Sequence, residues 1–179
     1  MINFKTLLQW HRARPYMAVG VHAVITLTLL GFALYSQYFE GFAPCVLCIW
    51  QRWPYAIITT LSLFALMQKP KIGTMLLMLF SLIYGVNAAI AFFHVGVQAE
   101  WWQGTGGCGF NDVGTGIDAL YQQILKAPLT SCKDISWRFL GLSMPLWNMI
   151  ICIALCVFSL FQAWVQRVWW TDNSPPSKK

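Results

Sequence analysis

Four runs of about twenty apolar residues, 16–38, 45–67, 72–94 and 145–166, hold one formally charged side chain between them, Arg52. A hydrocarbon layer about 30 Å thick needs roughly 20 apolar residues per crossing helix, and in lipid a helix can satisfy its own backbone polar groups. The runs therefore predict an all-α membrane protein, a four-transmembrane-helix bundle. With 58% hydrophobic and only 10% charged residues in 179, the composition is far from that of soluble chains and fits one integral membrane domain over 1–179. Residues 1–15 have no apolar core, and no small-residue cleavage site follows the first run, so that run is read as a retained helix rather than a cleavable signal.

Positive residues near span ends are retained on the cytoplasmic side. Lys5, Arg12, Arg14, Lys69, Lys71, Arg167, Lys178 and Lys179, eight of the twelve basic residues, flank the N-terminus, the junction of runs two and three, and the C-terminus. Both termini are expected in the cytoplasm, with two loops, about 39–44 and 95–144, facing outward. The net charge of +6 is explained by those flanks, where anionic lipid head groups attract base. No basic stripe is left over for nucleic acid.

The longer outward segment is too small for a core of its own. Trp101 and Trp102 stand where aromatic residues anchor a chain at the interface. Further on, Ile117, Leu120, Tyr121, Ile124 and Leu125 recur with helical period. A helix of roughly ten residues cannot span, so a short interfacial helix in the long loop is predicted.

The six cysteines divide by environment: Cys45 and Cys48 at the outer end of run two, Cys108 and Cys132 in the long loop, Cys152 and Cys156 inside run four. The first four face outward, where disulfides persist if the compartment is oxidising. Pro44 suits a first helical turn, so Cys45-Val-Leu-Cys48 opens a helix, whose positive end favours a thiolate. A disulfide across two intervening residues at a helix start is strained and easily opened, which points to redox chemistry rather than a structural cross-link. Cys108 and Cys132 can act as a static staple worth roughly 3–4 kcal/mol in the chain-entropy model. The glycine-rich setting of Cys108, open to an incoming thiolate, and the second reactive pair at the same face favour a relay.

Arg52 follows Cys48 by four residues, one helical turn on the same face. Buried there, its guanidinium can stabilise a thiolate or polarise a ligand carbonyl; otherwise it snorkels to the head groups. His94, at the outer end of run three, is either a ligand contact or a polar edge. Cys152 and Cys156, four apart on one helix, cannot reach disulfide geometry and read as small buried hydrophobes.

The run Pro44-Cys-Val-Leu-Cys-Ile-Trp-Gln-Arg52, the second cysteine pair in the longer of two outward loops, and Trp137-Arg-Phe-Leu-Gly-Leu-Ser-Met-Pro145 leading into run four together resemble the bacterial disulfide bond formation protein B family. The resemblance covers essentially the whole chain. It implies a multi-pass protein of the bacterial inner membrane, with active cysteines in the periplasm. The implied activity is quinone-dependent protein-disulfide oxidoreduction: reoxidation of a soluble periplasmic thioredoxin-like dithiol oxidase, with electrons passed to ubiquinone or menaquinone. Residue by residue, it makes Cys45 and Cys48 the membrane-proximal redox pair, with Cys48 next to quinone, and Arg52 the quinone-site arginine. It makes Cys108 the cysteine that forms the mixed disulfide with the partner, Cys132 its disulfide mate, and His94 a histidine near quinone. Gln51 departs from the pattern, standing where an acid is often found, and so does the Gly-Gly-Cys108-Gly-Phe setting.

Two other classes share some of these features. A vitamin K epoxide reductase-like protein would carry its Cys-x-x-Cys late in the chain, whereas here it opens the second run. A membrane subunit whose cysteines only staple loops or bind zinc would, in the zinc case, need unoxidised thiolates in an oxidising compartment.

Overall fold

A computed structural model describes residues 15–68, 73–104, 108, 131–133 and 137–173. Four long helices dominate: α1 (Pro15–Tyr38), α2 (Val46–Gln68), α3 (Gly73–Gln98) and α4 (Met144–Asn173). Within them, Met17–Tyr38, Gly73–Gln98 and Met144–Arg167 are long and apolar enough to cross a membrane, which makes the chain a multi-pass membrane protein. The remaining helix, α2, is 23 residues long, but Gln51, Arg52 and Pro54 dilute the apolar character of its first half. The short interfacial helix expected around 117–125 lies outside the described residues, as do the basic flanks at 5–14, 69–71 and 178–179.

α1 packs on α2 and α3 packs along α4. The core between them gathers Val19, Ile58, Leu77, Phe80, Tyr84 and Leu155, while Leu27, Phe64, Met67, Leu82 and Val157 point outward. Such outward apolar residues suit lipid and would be anomalous in water. The core is crossed by polar contacts between helices. His22 of α1 meets the Tyr84 hydroxyl at 3.2 Å, Gln162 Oε1 at 2.9 Å and Ser159 Oγ at 3.1 Å. Thr26 Oγ1 lies 2.8 Å from Thr59 Oγ1 of α2. Cys156, expected as a plain hydrophobe, has its sulfur 3.2 Å from Ser81 Oγ.

The outer ends of the helices are shaped by local signals. At the end of α3, Glu100 takes a left-handed φ of 59°, and the Trp101 and Glu100 amides donate back to the Gly96 and Val97 carbonyls, which is the Schellman pattern of helix termination. The chain then turns sharply enough for the Trp102 ring to stack on Phe93, with centroids 5.8 Å apart, and its Nε1 to donate to the Phe93 carbonyl at 2.9 Å. Trp102 is thus folded against α3; Trp101, the exposed member of the pair, is the one free to act as an interfacial anchor. Just before α4 a two-residue hairpin, β1 (Arg138–Phe139) and β2 (Leu142–Ser143), pairs antiparallel with Arg138 opposite Ser143. Its turn places Leu140 and Gly141 at φ 52° and 80°, both positive, as a type I′ turn requires.

The fold of Trp102 depends on Gly96, because a Cβ at that position would overlap the indole ring. Gly96→Ala is expected to cost about 1–3 kcal/mol, in the range of overpacking, and to lower the midpoint of thermal unfolding followed by circular dichroism. Combining it with Trp102→Ala should remove the overlap, so the two losses will not add.

Candidate functional site

Cys45 sits immediately before α2, one residue after Pro44, which therefore precedes the helix rather than forming its first turn. Its carbonyl accepts the first helical bond from the Ile49 amide at 3.1 Å, and its sulfur accepts from the Cys48 amide at 3.4 Å. Cys45 is in effect an N-cap, with sulfur in the role usually taken by a serine or aspartate oxygen. That places the sulfur at the positive end of the helix dipole. The Cys48 sulfur is 3.0 Å away, and both residues are free thiols.

The loop pair is joined: Cys108 and Cys132 form a disulfide with Cα atoms 4.8 Å apart. Cys132 is brought to the site by its amide donating to the Cys108 carbonyl at 3.2 Å, and next to it Lys133 pairs with Glu100 at the end of α3 at 3.3 Å. The two pairs share one apolar cluster with Leu47 and Val97. Cys45, Cys108, Cys132 and His94 are all buried, at 5%, 4%, 0% and 1% exposure. The burial of Cys108 corrects the expectation that its glycine-rich surroundings leave it open. Part of the reason is Gly104, where an added Cβ would lie 2.6 Å from the Cys108 Cβ, so glycine there lets the chain close over the sulfur.

Cys45 Sγ, Cys132 Sγ and a ring nitrogen of His94 all lie within 4.8 Å of one another. The loop disulfide is thus seated on the first cysteine of the helix-start pair, a relation that nothing in the spacing of the sequence reveals. His94 faces the same sulfur, with Nε2 3.6 Å from Cys45 Sγ and Nδ1 3.1 Å from Gln51 Nε2. It borders a small cavity of about 60 Å³ beside Cys45, Cys48 and Arg52.

Adjoining it, and sharing Cys48 and Arg52 with it, lies a larger cleft of about 310 Å³, which Cys48, Arg52, Gln51 and Tyr55 line from α2, and His94 is not among its lining residues. Aromatic rings form much of its wall: Trp137 stacks on Phe139 at 5.8 Å, Phe139 meets Trp147 at 6.0 Å, and Phe32 of α1 reaches Trp137 at 6.2 Å. The hairpin before α4 sets this wall, and the Trp147 Nε1 donating to the Phe139 carbonyl at 3.0 Å holds it in place. Arg52 is half-buried and tied to α1: one guanidinium nitrogen donates to Gln37 Oε1 and the other to the Ala33 carbonyl at 3.1 Å. It therefore does not snorkel freely. The volume, the apolar walls and the few convergent polar groups match a small-molecule site, where about 300–1,000 Å³ is usual.

The chain has recognisable relatives. The family described as Disulfide bond formation protein DsbB matches residues 15–162. The disulfide bond formation protein B of Xanthomonas euvesicatoria pv. vesicatoria (strain 85-10) is 33% identical over 146 residues, covering 78% of this chain and 84% of that protein. The protein of the same name from Xylella fastidiosa (strain Temecula1) is 35% identical over 141 residues, covering 74% and 80%.

If Cys132 and Cys45 are within exchange distance, removing the bonded mate of Cys132 and the neighbouring thiol of Cys45 should join them. Protein carrying Cys48→Ser and Cys108→Ser is expected to form a Cys45–Cys132 disulfide under mild oxidation, detected by peptide mass mapping without reductant. Persistence of both as free thiols would contradict the geometry.

Proposed function

The chain belongs to the disulfide bond formation protein DsbB family, and we propose that it reoxidises a soluble, thioredoxin-like dithiol oxidase of the periplasm and passes the electrons to a membrane quinone. In this reading it is a four-span protein of the bacterial inner membrane, with both termini cytoplasmic and the four active cysteines on the periplasmic side. The observation that carries the reading is the contact between pairs, Cys132 Sγ within 4.8 Å of Cys45 Sγ, with Cys48 opening onto the apolar cleft.

The steps follow from thiol–disulfide exchange, in which a thiolate attacks one sulfur of a disulfide and the other leaves with the electron pair. A thiolate of the reduced partner attacks Cys108, and Cys132 leaves as a thiolate. Cys132 then attacks Cys45 in the Cys45–Cys48 disulfide, and Cys48 leaves into the cleft beside Arg52. The partner's second thiol displaces Cys108 and releases the oxidised partner. Cys108 in turn recaptures Cys132 and frees Cys45, which closes again on Cys48 as their two electrons depart.

A quinone held in the cleft between Arg52 and the aromatic wall would supply the acceptor for those two electrons and two protons. The cleft suits it: flat aromatic and aliphatic walls take a ring, and Arg52, held by α1, offers a fixed cation for a carbonyl oxygen on which negative charge develops. Because Cys108 is buried, the partner's attack requires its sulfur to become accessible. A zinc-binding reading would use Cys45, His94 and Cys132, but the sulfur of Cys132 is already bonded to Cys108, so the trio does not offer three free donors.

Quinone reduction by the detergent-solubilised protein, supplied with a reduced thioredoxin-like oxidase, tests the proposal. Cys48→Ser and Cys108→Ser are expected to abolish turnover, and Cys156→Ser to leave it intact. Normal turnover by Cys108→Ser would reduce the loop disulfide to a staple. Arg52→Met should raise the quinone KM roughly 10–100-fold, the loss typical of one charge-assisted hydrogen bond, with a smaller effect on the KM for the soluble partner.

A further inference from the structure

A line of hydrogen bonds leads from the middle of the bundle to the Cys45 sulfur, through residues to which the relay above gives no part. It begins at Tyr55 of α2, whose hydroxyl donates to Asn148 Oδ1 on α4. The Cys152 thiol also points at that oxygen, at 3.8 Å, and lies 3.1 Å from the phenol oxygen. With two donors converging on its carbonyl side, the Asn148 amide presents its Nδ2 outward, and this donates to Gln51 Oε1 at 2.8 Å. The oxygen of Gln51 is thereby committed, so only its Nε2 remains for His94, where it meets Nδ1 at 3.1 Å. An imidazole nitrogen that accepts a hydrogen bond carries no proton, and in the neutral ring the proton then resides on the other nitrogen. That other nitrogen, Nε2, faces Cys45 Sγ at 3.6 Å.

We propose that Gln51 and Asn148 are positioning residues for thiol exchange, holding His94 in the Nε2-protonated tautomer so that a hydrogen-bond donor is aimed at the Cys45 sulfur. The functional part of this proposal rests on the relay described above. When the Cys108 thiolate attacks Cys132 in a Cys45–Cys132 disulfide, the Cys108–Cys132 bond forms, the Cys45–Cys132 bond breaks, and the electron pair leaves on Cys45. One disulfide replaces another with no net oxidation. The Nε2–H donates to the departing thiolate and keeps its proton. The opposite tautomer would present a lone pair to a developing negative charge in a buried site, where an unfavourable contact of this kind is costly. The same reasoning gives the amide at position 51 a specific role, because a carboxylate there would draw a proton onto Nδ1.

The tautomer can be read directly from the nitrogen resonances of the full-length protein labelled with 15N-histidine in detergent micelles, with His94 assigned by its loss in His94→Gln. Wild type is expected to show a bare Nδ1 and a protonated Nε2. Gln51→Met and Asn148→Leu should both give a mixture of tautomers, and Gln51→Glu should protonate Nδ1. In a Cys48→Ser, Cys108→Ser, Cys132→Ser background, alkylation of Cys45 by iodoacetamide at neutral pH should slow about tenfold on Gln51→Met, as expected for loss of one hydrogen bond to a thiolate. A wild-type His94 protonated on Nδ1, or a tautomer unmoved by both Gln51→Met and Asn148→Leu, would overturn the proposal. Should one of these variants fail to fold, the wild-type spectrum and Gln51→Glu still decide it. Neither measurement uses quinone or partner, so a failure here is separate from a failure of the turnover experiment.

Discussion

Apolar side chains gain little by leaving hydrocarbon for a protein interior that is equally apolar, so a bundle in lipid must find other reasons to associate. Here the reasons are hydrogen bonds between helices. His22 joins α1 to α3 and α4, Thr26 joins α1 to α2, and Tyr55 and Gln51 join α2 to α4. Individually such contacts are worth about 0.6 kcal/mol and at most about 2. Their effect lies in direction, because each is satisfied in one rotation of its helix. The rotation that buries Gln51 and Tyr55 against α4 also turns Cys48 and Arg52 toward the cleft, so the orientation of the chemistry and the cohesion of the bundle have one origin.

The site then divides around a single helix start. Cys45, before the first turn of α2, faces the buried disulfide and His94; Cys48, one turn on, borders the aromatic cleft. In the proposed relay, exchange with the loop disulfide would fall to Cys45 and contact with a ligand in the cleft to Cys48. Trp102, folded against α3, and Gly104, close against Cys108, flank the buried sulfurs of Cys45, Cys108 and Cys132, and burial strengthens charge–dipole contacts there.

Much of this was legible in the sequence because its signals are local. Apolar runs marked the helices to within a few residues at most ends, although α4 continues to Asn173 beyond the expected end near 166. The Cys45–Cys48 spacing and Arg52 one turn later follow from helical period alone. What stayed hidden depends on pairs distant in the chain. Gln51 and Asn148 are 97 positions apart, and nothing in either neighbourhood announces the other. The same holds for the meeting of Cys132 with Cys45, and for His94, which reads as a ligand contact or a polar edge until the packing of α3 sets it against the Cys45 sulfur. The burial of Cys108 was misread because glycine signals conformational freedom in a sequence, whereas at Gly104 the missing side chain serves close approach.

The capping role of Cys45 has a consequence for the helix itself. Its sulfur accepts the Cys48 amide as a cap, and a sulfur bearing negative charge is a much better acceptor than one sharing its electrons in a disulfide. The first turn of α2 is therefore fastened most tightly when Cys45 is a thiolate and loosens when it becomes cross-linked. Coupling of this kind is reciprocal: whatever braces that turn also favours release of Cys45 from its bonded states. In the proposed relay, each cycle would then be felt as a small tightening and slackening of the helix end that carries Cys45 and Cys48.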